Sequence, residues 1–348
     1  MNVKNRKLAA MLSAFMAAVF YAISVPFSKI LLKSVAPTYM ASFLYLGTGI
    51  GIALLYALRW KREEKNERLS RKDLPYVIGM IVLDILAPIF LMIGVSIGSS
   101  SHASLLGNFE IVATSMFALF FFKEKIAKRL WVAIALITLS SVILSFDGAG
   151  SLRFSYGSLF VLLAASCWGL ENNYTRSISD KSTYQIVTLK GLFSGAGSFL
   201  IANMMGETIP HMPFILLSML LGFVAYGLSI FLYVRAQRDL GAAKTSAFYA
   251  VTPFLGVLLS FLVLGERLTT SFFLAFSIMI IGTVFIVLET LLSKHRHIHT
   301  HLVTHTHAGK EHEHTIAHVH AHHHITDTQT HRHRHTEKEI EESLQATH

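Results

Sequence analysis

Apolar residues come in long runs along this chain, with short polar and basic stretches between them. A helix needs roughly 17–25 predominantly apolar residues to cross the hydrocarbon core of a bilayer. Runs of that order occupy Leu8–Leu32, Tyr39–Leu58, Leu74–Ile97, His102–Phe122, Leu130–Phe146, Gly157–Thr175, Tyr184–Met204, Met212–Val234, Ala242–Leu264 and Phe272–Leu292. Apart from a closed barrel, only a helix satisfies its own backbone polar groups in lipid. The pattern therefore predicts an all-α integral membrane protein with ten transmembrane helices. Lys4, Arg6 and Lys7 ahead of the first run also suit a signal peptide, but this run exceeds the usual apolar core of one. With no soluble domain behind it that needs secretion, the run reads as the first span.

Composition agrees. Charged residues make up 15% of the 348, against about a quarter in a typical soluble domain. The formal charge of +9 does not point to nucleic acid, because the basic residues sit between apolar spans. With the N-terminus inside, the segments assigned to the cytoplasm up to the ninth span hold nineteen Lys and Arg; the opposite side holds four, Lys29, Lys33, Arg153 and Arg267. The positive-inside rule then places both termini in the cytoplasm and the chain in the cytoplasmic membrane. The one cysteine, Cys167, lies in an apolar run. That excludes a disulfide framework and a cysteine-built metal site.

The two halves repeat. Phe-Lys-Glu124-Lys-Ile and Gly-Glu266-Arg-Leu each precede one last apolar run, and Thr38-Tyr39 matches Thr183-Tyr184 at an offset of 145 residues. Five helices per copy is an odd number, so the second copy enters the membrane from the opposite side. Inverted repeats of this kind build transporters, with the substrate site near the midplane where the copies meet. The expected division is repeat 1 over residues 8–146, repeat 2 over 157–292, and a tail over 293–348.

These features resemble the drug/metabolite transporter superfamily, of the EamA type. The second half carries the likeness best, with Trp168-Gly169, Ala250-Val-Thr-Pro253 and Leu264-Gly-Glu-Arg-Leu-Thr269. The first half departs from it, with Phe20-Tyr21 in place of Trp-Gly and Asn108-Phe-Glu110-Ile111 near the expected proline. The resemblance implies a permease for amino acids, nucleobases or other small metabolites, and not an enzyme. No Walker sequence is present to drive it with ATP.

Ionisable groups in the hydrocarbon region are costly, so each is a functional candidate. Asp84 lies about 15 Å into the third span at 1.5 Å per residue, and Glu110 sits at similar depth in the fourth. Gly107, Glu110 and Thr114 share one face of that helix; Ser101, Ser104, Asn108 and Ser115 make another. Trp168, Glu171, Asn172 and Thr175 form a polar stripe in the sixth, where an indole, a carboxylate and carboxamides can grip a small polar solute. Lys190 enters the seventh from the same side, within reach of Glu171. Arg176 is the competing partner for Glu171, at a wet helix end. Tyr249 and Thr252 beside Pro253 are further lining candidates, and Pro26, Pro88 and Pro253 are expected to free backbone carbonyls. The candidate substrate-binding set is thus Asp84, Asn108, Glu110, Trp168, Glu171, Asn172, Lys190 and Tyr249. Glu124 and Glu266 stand at helix ends, where capping the next helix is the plainer role. Proton carriage by Asp84 and Glu110 is a further option.

After Leu292 the composition changes abruptly, with seventeen of the nineteen histidines between His295 and His348. Repetition and low apolar content predict a disordered tail. Neutral imidazoles suit zinc, nickel, cobalt and copper, and His318, His320, His322 and His324 are the densest candidate ligands. No cofactor is needed for transport itself. Two functions are weighed. One is a secondary transporter moving an amino acid or related polar solute by alternating access. The alternative is a divalent-metal transporter whose tail buffers or senses its cargo, which needs metal ligands within the spans.

Overall fold

The computed structural model of the chain describes residues 3–58, 68–123, 126–146, 154–179, 181–240, 245, 248–291, 293–307 and 310–324. Up to Val287 they form one compact unit. Its helices are α1 (Val3–Ala22), α2 (Ser24–Leu31), α3 (Pro37–Ala57), α4 (Leu74–Ile97), α5 (Ser100–Leu106), α6 (Phe109–Phe122), α7 (Lys128–Leu144), α8 (Tyr156–Ser177), α9 (Thr183–Met204), α10 (Met212–Gly222), α11 (Ser229–Leu240), α12 (Thr252–Leu264) and α13 (Thr270–Leu291). Among the described residues, seven helical segments are long and apolar enough to cross a membrane. The helices α7, α8 and α12 are shorter or more polar. Leu54, Phe120 and Leu262 exemplify the large apolar side chains left exposed on the outside, a surface suited to lipid rather than water.

Three runs that the sequence pattern reads as continuous spans are interrupted. Pro26 has no N–H for the carbonyl of Ala22, one turn back, and the first span breaks at Ile23 into α1 and α2. The fourth breaks at Gly107-Asn108 into α5 and α6. In the ninth, a turn at Ala250-Val251 precedes α12, which carries Pro253 in its first turn. Between α10 and α11 the helix widens to a π turn over Phe223–Leu228, a local change common at functional sites.

Packing interleaves the first and second parts of the chain. The helix α3 packs along α9, α4 along α8, and α1 along α11. At the α3–α9 crossing, a Cβ on Gly191 would stand 2.4 Å from Gly49 Cα, so the backbones touch. The helices α4 and α8 run antiparallel, from Gly94 against Gly157 to Gly79 against Tyr174. That register brings Asp84 level with Trp168.

The two ends before the glutamates share a backbone conformation. Lys123 (φ 55°) closes α6 and Gly265 (φ 63°) closes α12, both left-handed and 142 residues apart. A side chain there costs about 1–2 kcal/mol that glycine avoids. Lys123→Gly is therefore expected to stabilise the protein by about 1 kcal/mol, seen as a higher unfolding temperature in detergent. A lower temperature would show that the lysine side chain makes contacts worth more than the strain.

The second unit is Leu288–His348. Its described backbone pairs β1 (Ser293–His307) with β2 (Lys310–His324) as an antiparallel ribbon, Ser293 opposite His324 and His307 opposite Lys310. The alternation of histidine with other residues has the period of a strand. A lone two-stranded ribbon is marginal in water, so it adds no core. The side chains of His318, His320, His322 and His324 lie outside the described residues, as do residues 325–348.

Candidate functional site

The buried centre is built where α3, α4, α8 and α9 meet. Asp84 projects from α4 and is fully buried. One of its oxygens, Oδ1, accepts from the Tyr45 hydroxyl at 3.1 Å and from Trp168 Nε1 at 3.2 Å. The other, Oδ2, pairs with Lys190 Nζ at 3.1 Å. Lys190 reaches equally to Glu171 Oε1, 3.0 Å away, and that oxygen also accepts from the Thr175 hydroxyl. One ammonium thus bridges two buried carboxylates. Pro88, one turn beyond Asp84 in α4, supplies no N–H to the Asp84 carbonyl, which loosens the helix at the acid.

A second polar group lies between α6 and α8. A Cβ on Gly169 would come within 2.5 Å of the Ala113 Cβ, so these helices are in close contact. Asn172 Nδ2 donates to Glu110 Oε1 at 2.7 Å and to Thr114 Oγ1 at 3.3 Å. Asn173 Nδ2 donates to the carbonyls of Thr114 and Gly169. Glu110 and Asn172 are only half-buried. A carboxylate in that position faces a polar space more favourably than lipid.

Tyrosines wall the centre. Tyr226, in the π turn, is buried and packs edge-on against Tyr21 at 5.4 Å and at a tilt against Tyr45 at 5.9 Å. Its hydroxyl accepts from Ser24, the first residue of α2. Tyr249 packs on Tyr21 and on Tyr233, and its hydroxyl bonds Ser229 at 3.1 Å.

Of the residues singled out in the sequence, Asp84, Trp168, Glu171 and Lys190 form one connected network, and Glu110 with Asn172 forms the second. Tyr249 belongs to the aromatic wall. Asn108 sits at the α5–α6 break, buried, its Nδ2 without a partner among the described residues. The wet-end arrangement of Glu171 with Arg176 gives way to a buried pair with Lys190, because Glu171 lies a full turn inside α8. Tyr45 and Tyr226 had not been singled out. The 145-residue offset maps Tyr45 onto Lys190, and that correspondence is a signal for the first of them.

Glu266 does not cap the helix that follows it. Thr269 does that, its Oγ1 accepting from Phe272 N at 3.2 Å. The Glu266 carboxylate reaches across the bundle to the start of α5, where it accepts from Ser99 Oγ, Ser100 N and Ser101 N at 2.7–2.8 Å. Its counterpart Glu124 lies outside the described residues.

A helical bundle with an apolar exterior and an ion-paired, tyrosine-walled interior is the build of a polytopic membrane protein with a polar site inside it. The sequence matches the EamA-like transporter family over residues 8–146 and 155–288, and the chain belongs to that family. It is 25% identical over 280 residues to an uncharacterized transporter of Methanothermobacter thermautotrophicus, covering 75% of this chain and 81% of the relative. An uncharacterized transporter of Clostridium kluyveri is 24% identical over 294 residues, covering 79% and 90%. One crystal structure superposes with a TM-score of 0.59 at 16% identity, covering 81% of this chain and 96% of that one, a likeness of fold. The protein is therefore a multi-pass membrane transporter, of a transporter family rather than an enzyme family.

Proposed function

We propose that the chain is a secondary transporter that moves a small polar metabolite, such as an amino acid, across the cytoplasmic membrane by alternating access. The observation that carries this reading is where the buried charges come from. Tyr45, Asp84 and Glu110 lie in the first family-matched segment, and Trp168, Glu171, Asn172 and Lys190 in the second. A site shared in this way changes when one segment rocks against the other. Supporting the inverted repeat are the two left-handed residues 142 apart and the matching breaks at Gly107-Asn108 and Ala250-Val251. On this reading ten spans form two opposed halves with both termini in the cytoplasm.

Carboxylates, an ammonium, carboxamides and aromatic faces together offer partners to both ends of a zwitterion. Glu110, Asn172, Trp168 and Lys190 are the partly exposed members, so they are the groups a solute meets before the buried Asp84 and Glu171. Counterflow in proteoliposomes against a panel of amino acids and nucleobases should identify a solute, and Glu110→Gln or Asn172→Ala should cut its transport at least about tenfold, the scale of one lost charge-assisted hydrogen bond. Full transport by both variants at matched incorporation would remove these residues from the site.

The metal-cargo reading gains no support. Among the described residues no group of three or more His, Cys, Asp or Glu is placed to hold a metal ion. Metal binding by the histidine tail remains a separate proposal, carried by the sequence.

A further inference from the structure

The end of the bundle where α2, α5 and α12 meet is sealed by polar contacts rather than by apolar packing alone. Glu266, in the loop after α12, accepts three hydrogen bonds from Ser99, Ser100 and Ser101 at the start of α5. These contacts join the second family-matched segment to the first. Directly beneath, Ser100 Oγ lies 2.8 Å from Ser260 Oγ. One turn deeper, a Cβ on Gly256 would stand 2.9 Å from Ser104 Oγ, so α5 and α12 are closed on each other. On the far side of the seal, a cavity of about 770 Å³ reaches Ser99 and His102 from between α4 and α8.

The seam under the seal is lined in an unusual way. Ser28, Ser104 and Asn108 are all at least nine-tenths buried, and their side-chain hydroxyls and amide nitrogen have no partner among the described residues. Buried polar groups are nearly always satisfied, and exceptions call for a reason. Here two of the groups adjoin, along their helices, elements that carry the site. Ser28 is one turn from Ser24, which bonds Tyr226, and Tyr226 packs on Tyr45 beside Asp84. Asn108 opens α6, the helix that carries Glu110.

We propose that Glu266 is the latch of one of the two gates, and that the buried seam through Ser28, Ser104 and Asn108 is the solute path that opens when it releases α5. This rests on the alternating-access reading above. Release swings α5 away from α12, joins the 770 Å³ cavity to the tyrosine-walled centre, and gives the three orphaned polar groups water or solute as partners. The latch is ionised at neutral pH. Burial works against its charge, but the hydrogen bonds from Ser101, Ser99 and Ser100 outweigh burial and hold the Glu266 carboxyl below the usual glutamate range. Lys29 braces the segment from the other side, donating to the carbonyls of Val95, Ser96 and Gly98 at 2.6–3.0 Å. The closed gate is therefore held at both the end of α4 and the start of α5.

Thiol accessibility tests the latch without needing the transported solute. In a Cys167→Ser background, Ser104→Cys is reacted with a membrane-impermeant maleimide in proteoliposomes, supplied on the side from which exposed Thr208→Cys reacts. Adding Glu266→Gln is expected to speed modification at position 104 about tenfold, as losing a charge-assisted hydrogen bond shifts an open–closed equilibrium. An unchanged rate would overturn the latch. A second variant guards against a folding defect. Ser100→Cys with Ser260→Cys places two thiols where the hydroxyls stand 2.8 Å apart, within reach of a disulfide after small adjustment. Oxidation should bridge them and suppress labelling at position 104 in the Glu266→Gln protein, and reduction should restore it. Equal labelling in bridged and reduced protein would show that α5 and α12 do not part along this path. The transporter reading stands or falls separately, on solute counterflow.

Discussion

Lys190→Met is expected to cost about 3 kcal/mol of stability and to abolish transport. The ammonium is the shared partner of Asp84 and Glu171, at 3.1 and 3.0 Å, and both acids are almost fully buried. Removing it leaves two like charges close together in low dielectric, each forced to take up a proton or to draw in water. Asp84 keeps the Tyr45 hydroxyl and the Trp168 indole, and Glu171 keeps Thr175, so the acids are not stripped bare. Those donors soften the loss without replacing a cation. The cause is separable from lost packing. Combining Lys190→Met with Asp84→Asn and Glu171→Gln removes the orphaned charges, and stability measured by unfolding in detergent should then recover most of the deficit. Transport should not recover, because the site has lost its ionic partners. A triple variant as unstable as the single one would show that the methylene stem of Lys190, not its charge, holds α9 in place.

How much of this centre was legible in the sequence depends on the range of the interaction. Asp84 and Glu110 stood out because a carboxylate in an apolar run is conspicuous by itself. Glu171 with Lys190 was within reach of an argument from depth along two helices entering from the same side. The bridge from Lys190 to Asp84 was not, since it needs the α3–α9 crossing and the antiparallel register of α4 on α8. Tyr45 was hidden for a related reason: a tyrosine in an apolar helix looks like any core aromatic until its neighbours are known. Breaks near Pro26 and at Gly107-Asn108 have local causes written in the chain. A hydropathy run averages over them, so they read as continuous spans. Glu266 shows the opposite failure. A glutamate just ahead of a helix invites a local capping role, yet Thr269 fills that role at short range and frees the glutamate to act across the bundle.

Gly191→Ala should place a severely damaging methyl group beside the site. The added Cβ would sit 2.4 Å from both Cα and N of Gly49 and 2.9 Å from the Tyr45 carbonyl oxygen. These are backbone atoms of another helix, so no side chain can turn aside, and α3 must move bodily away from α9. Overpacking in a tight core typically costs 1–3 kcal/mol, and this contact belongs at about the upper end of that range. The displacement also falls at the site, because Tyr45 lies one turn from Gly49 on α3 and Lys190 adjoins Gly191 on α9. Transport should therefore fail even in whatever fraction folds. Gly107→Ala is the fitting comparison. Its nearest atom is the Ser104 carbonyl at 3.3 Å, the backbone there is helical, and alanine gains up to about 1 kcal/mol of helix propensity over glycine. Unfolding temperatures of the two variants, measured side by side, should differ widely, with Gly107→Ala close to the parent protein. If Gly191→Ala unfolds with the parent instead, α3 and α9 do not cross at backbone contact, and the placement of Lys190 beside Asp84 loses its structural basis.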